Sequence, residues 1–314
     1  MRKGGDELID LSEFDSPAIN GMSVRYRWSS LEPEPGKYDW RLLEKAHDIA
    51  VSKKLWMMIT VSGGMFTPEW VYALGPRKIT FLADDTNWME PNTTATMPVV
   101  WDEPYVQAWE NLLKVLGEKI RDLPEVHSVC VTGAGFISEM HLPKRHPQTA
   151  AQWEAVGIDD EKMVVLYKRL IATYDRVMPR HIGLPIHLGS PFGQSKTADI
   201  IYAWALQEYP GRVWFQQDGL QGGTQADGRW SRMLRNASSL TTVGYEMLGS
   251  VTRNNEETGD RRKAFERAIE DGCTYVEIFR DDLLVPEHKE AIEFLAEGLK
   301  RNAGGRLVRN ATRP

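Results

Sequence analysis

The chain has 314 residues, 42% hydrophobic and 26% charged, with 38 Lys and Arg against 44 Asp and Glu for a formal net charge of −6. Ordinary apolar and charged fractions suit a folded globule, the length suits one large domain, and the acidic balance argues against a general binder of nucleic acid or of membrane surfaces.

Short apolar runs alternate with longer amphipathic ones along the chain. Met22 to Trp28 predicts a strand, and Asp39 to Lys53 a helix with Leu42, Leu43, Ala46, Ile49 and Ala50 on one face. Leu55 to Ser62 is the next strand. The stretch from Gly63 to Asp102, broken by Pro68, Pro76, Pro91 and Pro98, reads as a long loop. Helix is expected from Pro104 to Arg121, strand from Val126 to Thr132, helix from Glu161 to Val177 and strand from Ile182 to Leu188. Three further helix and strand pairs follow: Thr197 to Glu208 before Val213 to Gln217, Trp230 to Asn236 before Thr241 to Tyr245, and Arg261 to Asp271 before Thr274 to Phe279. Glu287 to Arg301 closes the chain as a helix.

This alternation predicts parallel strands covered by helices, and the expected fold is α/β, a (β/α)8 TIM barrel in a single domain. A closed barrel has eight strands and seven runs are visible. Register favours the first as the missing one, supplied by the polar stretch before Gly21, around Glu7 to Leu11. Val126 to Thr132 then becomes the fourth strand, Thr241 to Tyr245 the seventh and Thr274 to Phe279 the eighth.

That numbering places two glutamates at strand ends, where barrel active sites gather. Glu139 follows the fourth strand in TGAGFISEMHLP, and Glu246 follows the seventh in TTVGYEMLGS. Glycosidic cleavage through an oxocarbenium-like transition state needs an acid for the leaving oxygen and a second carboxylate for the anomeric carbon or its attacking water. Glu139 and Glu246 are the candidate pair. Glu277, which shares a strand face with Tyr275 and Phe279, is the rival for the second role. Arg25 and Arg27 alternate with Val24, Tyr26 and Trp28, so they point the same way; each is a candidate to hold a carboxylate ionised or to form a structural ion pair.

His187 ends the fifth strand, and Gln216, Gln217 and Asp218 end the sixth. Such polar residues bind substrate hydroxyls or satisfy backbone groups. Trp70, Trp88 and Trp101 belong to or border the long third loop, as walls of a sugar subsite or as its packing; Tyr245 beside Glu246 hydrogen-bonds a carboxylate or packs. The 11 tryptophans suit stacking on pyranose faces.

Other chemistries lack their residues. There is no H-x-H pair or H-E-x-x-H for a metal, no phosphate-cradling glycine loop, no dinucleotide fingerprint and no G-x-S-x-G elbow. The expectation is hydrolysis without cofactor or metal, on a carbohydrate, with no nucleic-acid or membrane partner; oligomeric state is not legible. Cys130 and Cys273 fall in strand-like runs that suit small buried thiols, so both are expected to be free. No run of about 18 apolar residues predicts a membrane span, and the N-terminal MRKGGDELIDLSEF lacks the apolar centre of a signal peptide. The protein is expected to be soluble, either cytoplasmic or secreted with its leader removed.

The segment GMSVRYRWSSLEPEPGKYDWRLLEKAHDIA resembles the second strand and helix of clan A glycoside hydrolases, especially the family 42 beta-galactosidase-like branch, and ITVSGGMFTPEWVY is similar to their third strand and its P-x-W loop. The resemblance spans roughly Gly21 to Leu283. It implies a retaining mechanism, with Glu139 as acid/base after strand four and Glu246 as nucleophile after strand seven. One departure stands out: the acid/base is usually preceded by asparagine, and here by Ser138. A second resemblance competes, since GAGFISEMHLP is similar to the acid-bearing loop of beta-amylases and GYEM to the segment with their catalytic base. That likeness implies inversion, with the two carboxyl groups about 6.5 to 9.5 Å apart, where retention has them about 5 to 5.5 Å apart.

Overall fold

The computed structural model describes residues 16–82, 93–137, 141–143, 146–189, 195–251 and 258–310. The expected first strand at Glu7 to Leu11, together with Trp88 and Glu139, lies outside the described residues. The chain packs as two compact units, one built mainly from Gly21–Leu184 and Gly189–Gln207, the other mainly from Pro185–Leu188 and Glu208–Pro314.

In the first unit, β1 (Gly21–Arg27) and β2 (Trp56–Ser62) pair in parallel from Gly21 opposite Trp56 to Arg27 opposite Ser62. Met22, Val24 and Tyr26 are buried on one face of β1, while Arg27 is exposed on the other. Six of the seven residues of β2 are buried, the run of a parallel strand covered on both sides. Trp28 does not end the strand. It opens a short helix, Trp28–Leu31, and its indole donates to Glu32 Oε2 at 3.0 Å.

The stretch expected to be loop contains an antiparallel hairpin, β3 (Lys78–Leu82) with β4 (Thr94–Pro98). Its apolar signal is short but has the strand period, with Ile79, Phe81 and Met97 buried and Thr80 and Thr96 meeting outside. Pro98 sits at the end of its strand, where a missing N–H costs little. The sheet of β1 and β2, separate from this hairpin, is completed by β5 (Val126–Val129), which pairs in parallel with β2.

Four helices of this unit cover apolar faces: α1 (Arg41–Lys53), α2 (Glu103–Lys119), α3 (Pro147–Ala155) and α4 (Asp160–Val177). Leu43, Ala46, Ile49 and Ala50 form the buried face of α1 as expected, with Leu42 at its edge. Each fully buried Leu or Ile on such a face contributes about 1.5–3 kcal/mol. Asp159 caps α4 by accepting from the Lys162 N–H at 2.7 Å. Helix α3 was not anticipated; Pro147 begins it, in the position where proline suits a helix start. Helix α5 (Ser195–Glu208) follows.

The second unit carries a sheet ordered β6 (Leu184–Leu188), β7 (Val213–Leu220), β8 (Val243–Met247) and β9 (Tyr275–Glu277). The pairs β7–β8 and β8–β9 are parallel. Between these strands run α6 (Arg229–Ala237) and α7 (Arg261–Glu270), and α8 (Lys289–Asn310) ends the described chain. Asn302 of α8 donates to the carbonyls of Ile269 and Cys273 at 3.0 and 2.8 Å, fastening that helix to the turn before β9. Cys130 and Cys273 are buried free thiols. Among the described residues no helix is long and apolar enough to cross a membrane.

Candidate functional site

The second unit brings polar residues together by register. Asp218 lies opposite Glu246, and Glu246 opposite Glu277, so three carboxylates form one row across β7, β8 and β9. Asp218 and Glu246 lie near the C-terminal ends of their strands and Glu277 closes β9: β7 runs on to Leu220 and β8 to Met247, two residues beyond the boundaries read from the pattern for β8 and three for β7. Side chains two residues apart share a face, so one step down the same face lies the row Gln216, Gly244 and Tyr275. Only glycine fits at position 244, because a Cβ there would come within 2.4 Å of the Tyr275 ring.

Hydrogen bonds connect the two rows. The Tyr275 hydroxyl donates to Gln216 Oε1 at 2.9 Å, and Gln216 Nε2 donates to Asp218 Oδ1 at 2.8 Å. From β6, His187 Nδ1 meets Asp218 Oδ2 at 2.5 Å. His187 is 1% exposed and Gln216 fully buried, so these groups sit in a low-dielectric setting where each polar contact counts for more.

Donor atoms of His187, Asp218 and Glu246 all lie within 4.8 Å of one another, which makes them the described group best placed to hold a cation. The His187–Asp218 contact argues against that use. Two atoms bound to one zinc ion at about 2.0–2.2 Å each stand about 3 Å apart; at 2.5 Å the two side chains are in direct hydrogen-bond contact.

Tyr245 and Gln217 fall on the opposite face of the same strands and pair in register with each other. The buried Tyr245 hydroxyl donates to Asp271 Oδ2 at 2.9 Å and lies 3.4 Å from Ser231 of α6. Burial drives its proton affinity far above that of ordinary tyrosine. Tyr245 is therefore a ligand of Asp271 on the helix face, and neither it nor Gln217 joins the carboxylate row.

The remaining candidates belong to the first unit. Arg25 is half-buried and Arg27 exposed on the same face of β1, and the Arg27 guanidinium sits 4.6 Å from the Phe66 ring centre. Trp70 donates to the Glu32 carbonyl at 3.0 Å and packs edge-on against Trp28, while Trp101 packs against Trp153 at 5.8 Å. Glu32 is buried, with its carboxylate between the Trp28 indole and the Gly36 N–H at 3.0 Å each; desolvation of the Tyr38 hydroxyl, and after it the Glu32 charge, push that hydroxyl up to about 12. The LEPEPGKYDW segment thus builds a polar knot under the aromatic cluster of Trp28, Tyr105 and Trp109. After β5, Gly133 adopts φ 101 against the Trp109 indole, a conformation and a clearance that only glycine meets, and the Phe136 N–H donates to the His141 carbonyl at 3.0 Å.

Asp218 and Tyr275 were legible only as strand-end polar residue and face neighbour. The spacing of Gln216 with Asp218, Gly244 with Glu246 and Tyr275 with Glu277, two residues in each strand, is the signal that aligns them.

No protein-family model matches this chain, and no curated protein sequence does. Solved structures match at the level of the fold. The catalytic domain of a beta-amylase from Paenibacillus polymyxa is similar over 92% of this chain and 94% of its own, with TM-score 0.58 at 10% identity. A catalytic mutant of a GH42 beta-galactosidase from G. stearothermophilus matches over 94% of this chain with TM-score 0.54 at 12% identity, and the chain spans 54% of its length. A GH5_18 variant from Streptomyces cattleya in complex with Manb1-4GlcNAc matches over 93% of this chain and 76% of its own, with TM-score 0.52 at 14% identity. The fold class is α/β with parallel strands, that of the (β/α)8 TIM barrel.

Proposed function

We propose that the chain is a glycoside hydrolase acting on a neutral oligo- or polysaccharide, with Glu246 as the carboxylate that engages the anomeric carbon. The observation that carries this reading is the row Asp218, Glu246 and Glu277 at the C-terminal ends of parallel strands, with His187 against Asp218. In barrel enzymes that end is where chemistry is done. The fold neighbours support the substrate class, being a beta-amylase, a beta-galactosidase and a protein bound to a mannose-containing disaccharide.

Glu139 is proposed as the acid on the ground of its sequence position. In the retaining form, Glu139 protonates the leaving oxygen as Glu246 attacks the anomeric carbon and forms a glycosyl ester. Water, giving its proton to Glu139, then releases the sugar and restores the Glu246 carboxylate. The beta-amylase likeness, which covers 94% of that domain, favours a second form in which Glu246 takes the proton of a water that attacks directly and inverts the centre.

Chromogenic glycosides and polysaccharides, with the product anomer followed by NMR, test the proposal. Hydrolysis lost in Glu246→Ala is expected, and a 2-fluoro glycoside should label Glu246 if the configuration is retained. Glu139→Gln should stall on natural glycosides, spare the first step on an activated aryl glycoside, and be rescued by azide. Labelling of Glu277 would move the nucleophile to β9; sugar binding without turnover would make the chain a carbohydrate-binding barrel.

A further inference from the structure

We infer that Tyr275, Gln216 and Asp218 form a hydrogen-bond relay of fixed polarity that positions the His187 imidazole beside Glu246, with the Nδ1 proton directed at Asp218. The inference rests on Glu246 being the reacting carboxylate, as proposed above.

The polarity follows from the donors. A tyrosine hydroxyl facing an amide oxygen donates to it, so the 2.9 Å contact with Oε1 turns Gln216 Nε2 toward Asp218. An amide nitrogen only donates, which makes Asp218 Oδ1 an acceptor at 2.8 Å. The other oxygen, Oδ2, lies 2.5 Å from His187 Nδ1, closer than the ~2.7–2.9 Å of an ordinary charge-assisted N–H···O bond. The proton of the short bond belongs to Nδ1, because an imidazole is a stronger base than a carboxylate, and Asp218 is then ionised and accepts on both oxygens. Gln216 Nε2 also stands 3.4 Å from Nδ1, too long to compete with the shorter contact.

The consequence for Glu246 is geometric. Its carboxylate oxygen lies within 4.8 Å of the donor atoms of both His187 and Asp218, so the imidazole plane sets part of the polar surroundings in which Glu246 reacts. Asp218, Gln216 and Tyr275 act through His187 and are positioning residues. The ring of Tyr275 serves a second purpose by packing over Gly244, directly beneath Glu246 on the same strand face.

Ring-nitrogen NMR of the isotope-labelled wild-type protein, assigned with His187→Gln, tests the relay without any substrate. A protonated Nδ1 is expected; a bare Nδ1 overturns the inference. In Asp218→Asn the Nδ1 proton should be lost and kcat on an aryl glycoside should fall ~100-fold with KM nearly unchanged, the scale of a small displacement of a catalytic array. Tyr275→Phe keeps the ring over Gly244 and should fold; removing only its hydroxyl should lower kcat roughly 10-fold by the same logic. A merely structural role would shift the unfolding midpoint and leave the tautomer and kcat alone, so unchanged kcat in both variants also overturns the inference. If the wild-type protein hydrolyses no glycoside, the functional reading falls, and the wild-type NMR result still decides the relay.

Discussion

Tyr245 and Glu246 are neighbours on β8, yet they face two different electrostatic environments. On the helix side, Asp271 is fully buried and is met by the Tyr245 hydroxyl, by Ser231, by Arg235 at 3.0 and 3.2 Å and by Arg267 at 3.6 Å. Donors surround that carboxylate, and its arrangement ties α6 and the end of α7 to the sheet. On the other face, Glu246 stands between Asp218 and Glu277, carboxylates in register on either side. Like charges opposite one another cost a sheet stability. The comparison sets a carboxylate that ties helices to the sheet beside three carboxylates that share one row.

The largest expected effect tests the helix face. Asp271→Ala leaves two guanidinium groups and two hydroxyls without their common acceptor, and should cost about 3–5 kcal/mol by denaturant unfolding. A loss below about 1 kcal/mol would show that the surrounding donors find water instead.

Gly244→Ala probes where the two environments meet. The new methyl would overlap the Tyr275 ring, costing about 1–3 kcal/mol through overpacking, and turnover should fall with it because the same ring orients Gln216. Retained turnover alongside lost stability would separate Tyr275 packing from the site.

Tyr245→Phe is milder. Loss of one buried hydrogen bond should cost about 1 kcal/mol at pH 7 with turnover per folded molecule unchanged. The folded-state pKa of Tyr245 is raised by burial, so its contribution is complete below the unfolded value of 10.0 and declines as pH rises above it. The gap between wild type and Tyr245→Phe should therefore narrow above pH 10. A gap that widens there would contradict the burial.

The smallest stability effect belongs to the residue with the largest expected role. Glu246→Gln relieves a like-charge neighbour and should change the unfolding free energy by no more than about 0.5 kcal/mol while abolishing hydrolysis. Equal losses of stability and activity would place Glu246 with Asp271 among the structural carboxylates.

The alternation of strands and helices was legible because each buried element repeats its apolar residues at its own period. Seven strand positions and the long helices follow from that signal alone. The β3–β4 hairpin escaped it, since five-residue strands with half their residues outward carry too few apolar positions to stand out among prolines. Helix α3 escaped for a related reason: Thr149 and Trp153 are its only described buried residues. At the site, the sequence singled out Glu246 just past a strand, Glu277 within one, and His187, Gln216 and Asp218 as strand-end polar residues, and it grouped Tyr245 and Gln217 with them because chain proximity does not reveal which face a side chain takes.

Composition, periodicity and the absence of metal, nucleotide and serine-nucleophile motifs determine an α/β chain of alternating elements with carboxylates near its strand ends; these are local properties, set by each residue and its near neighbours. Which carboxylates meet is decided only when strands pair. Asp218, Glu246 and Glu277 share a row because β7, β8 and β9 lie in one parallel register, and a slip of one residue would send Glu246 toward Asp271 and Tyr245 toward Asp218. Register is fixed by the burial of whole strand faces across the sheet, a cooperative property of the tertiary structure that no single segment contains.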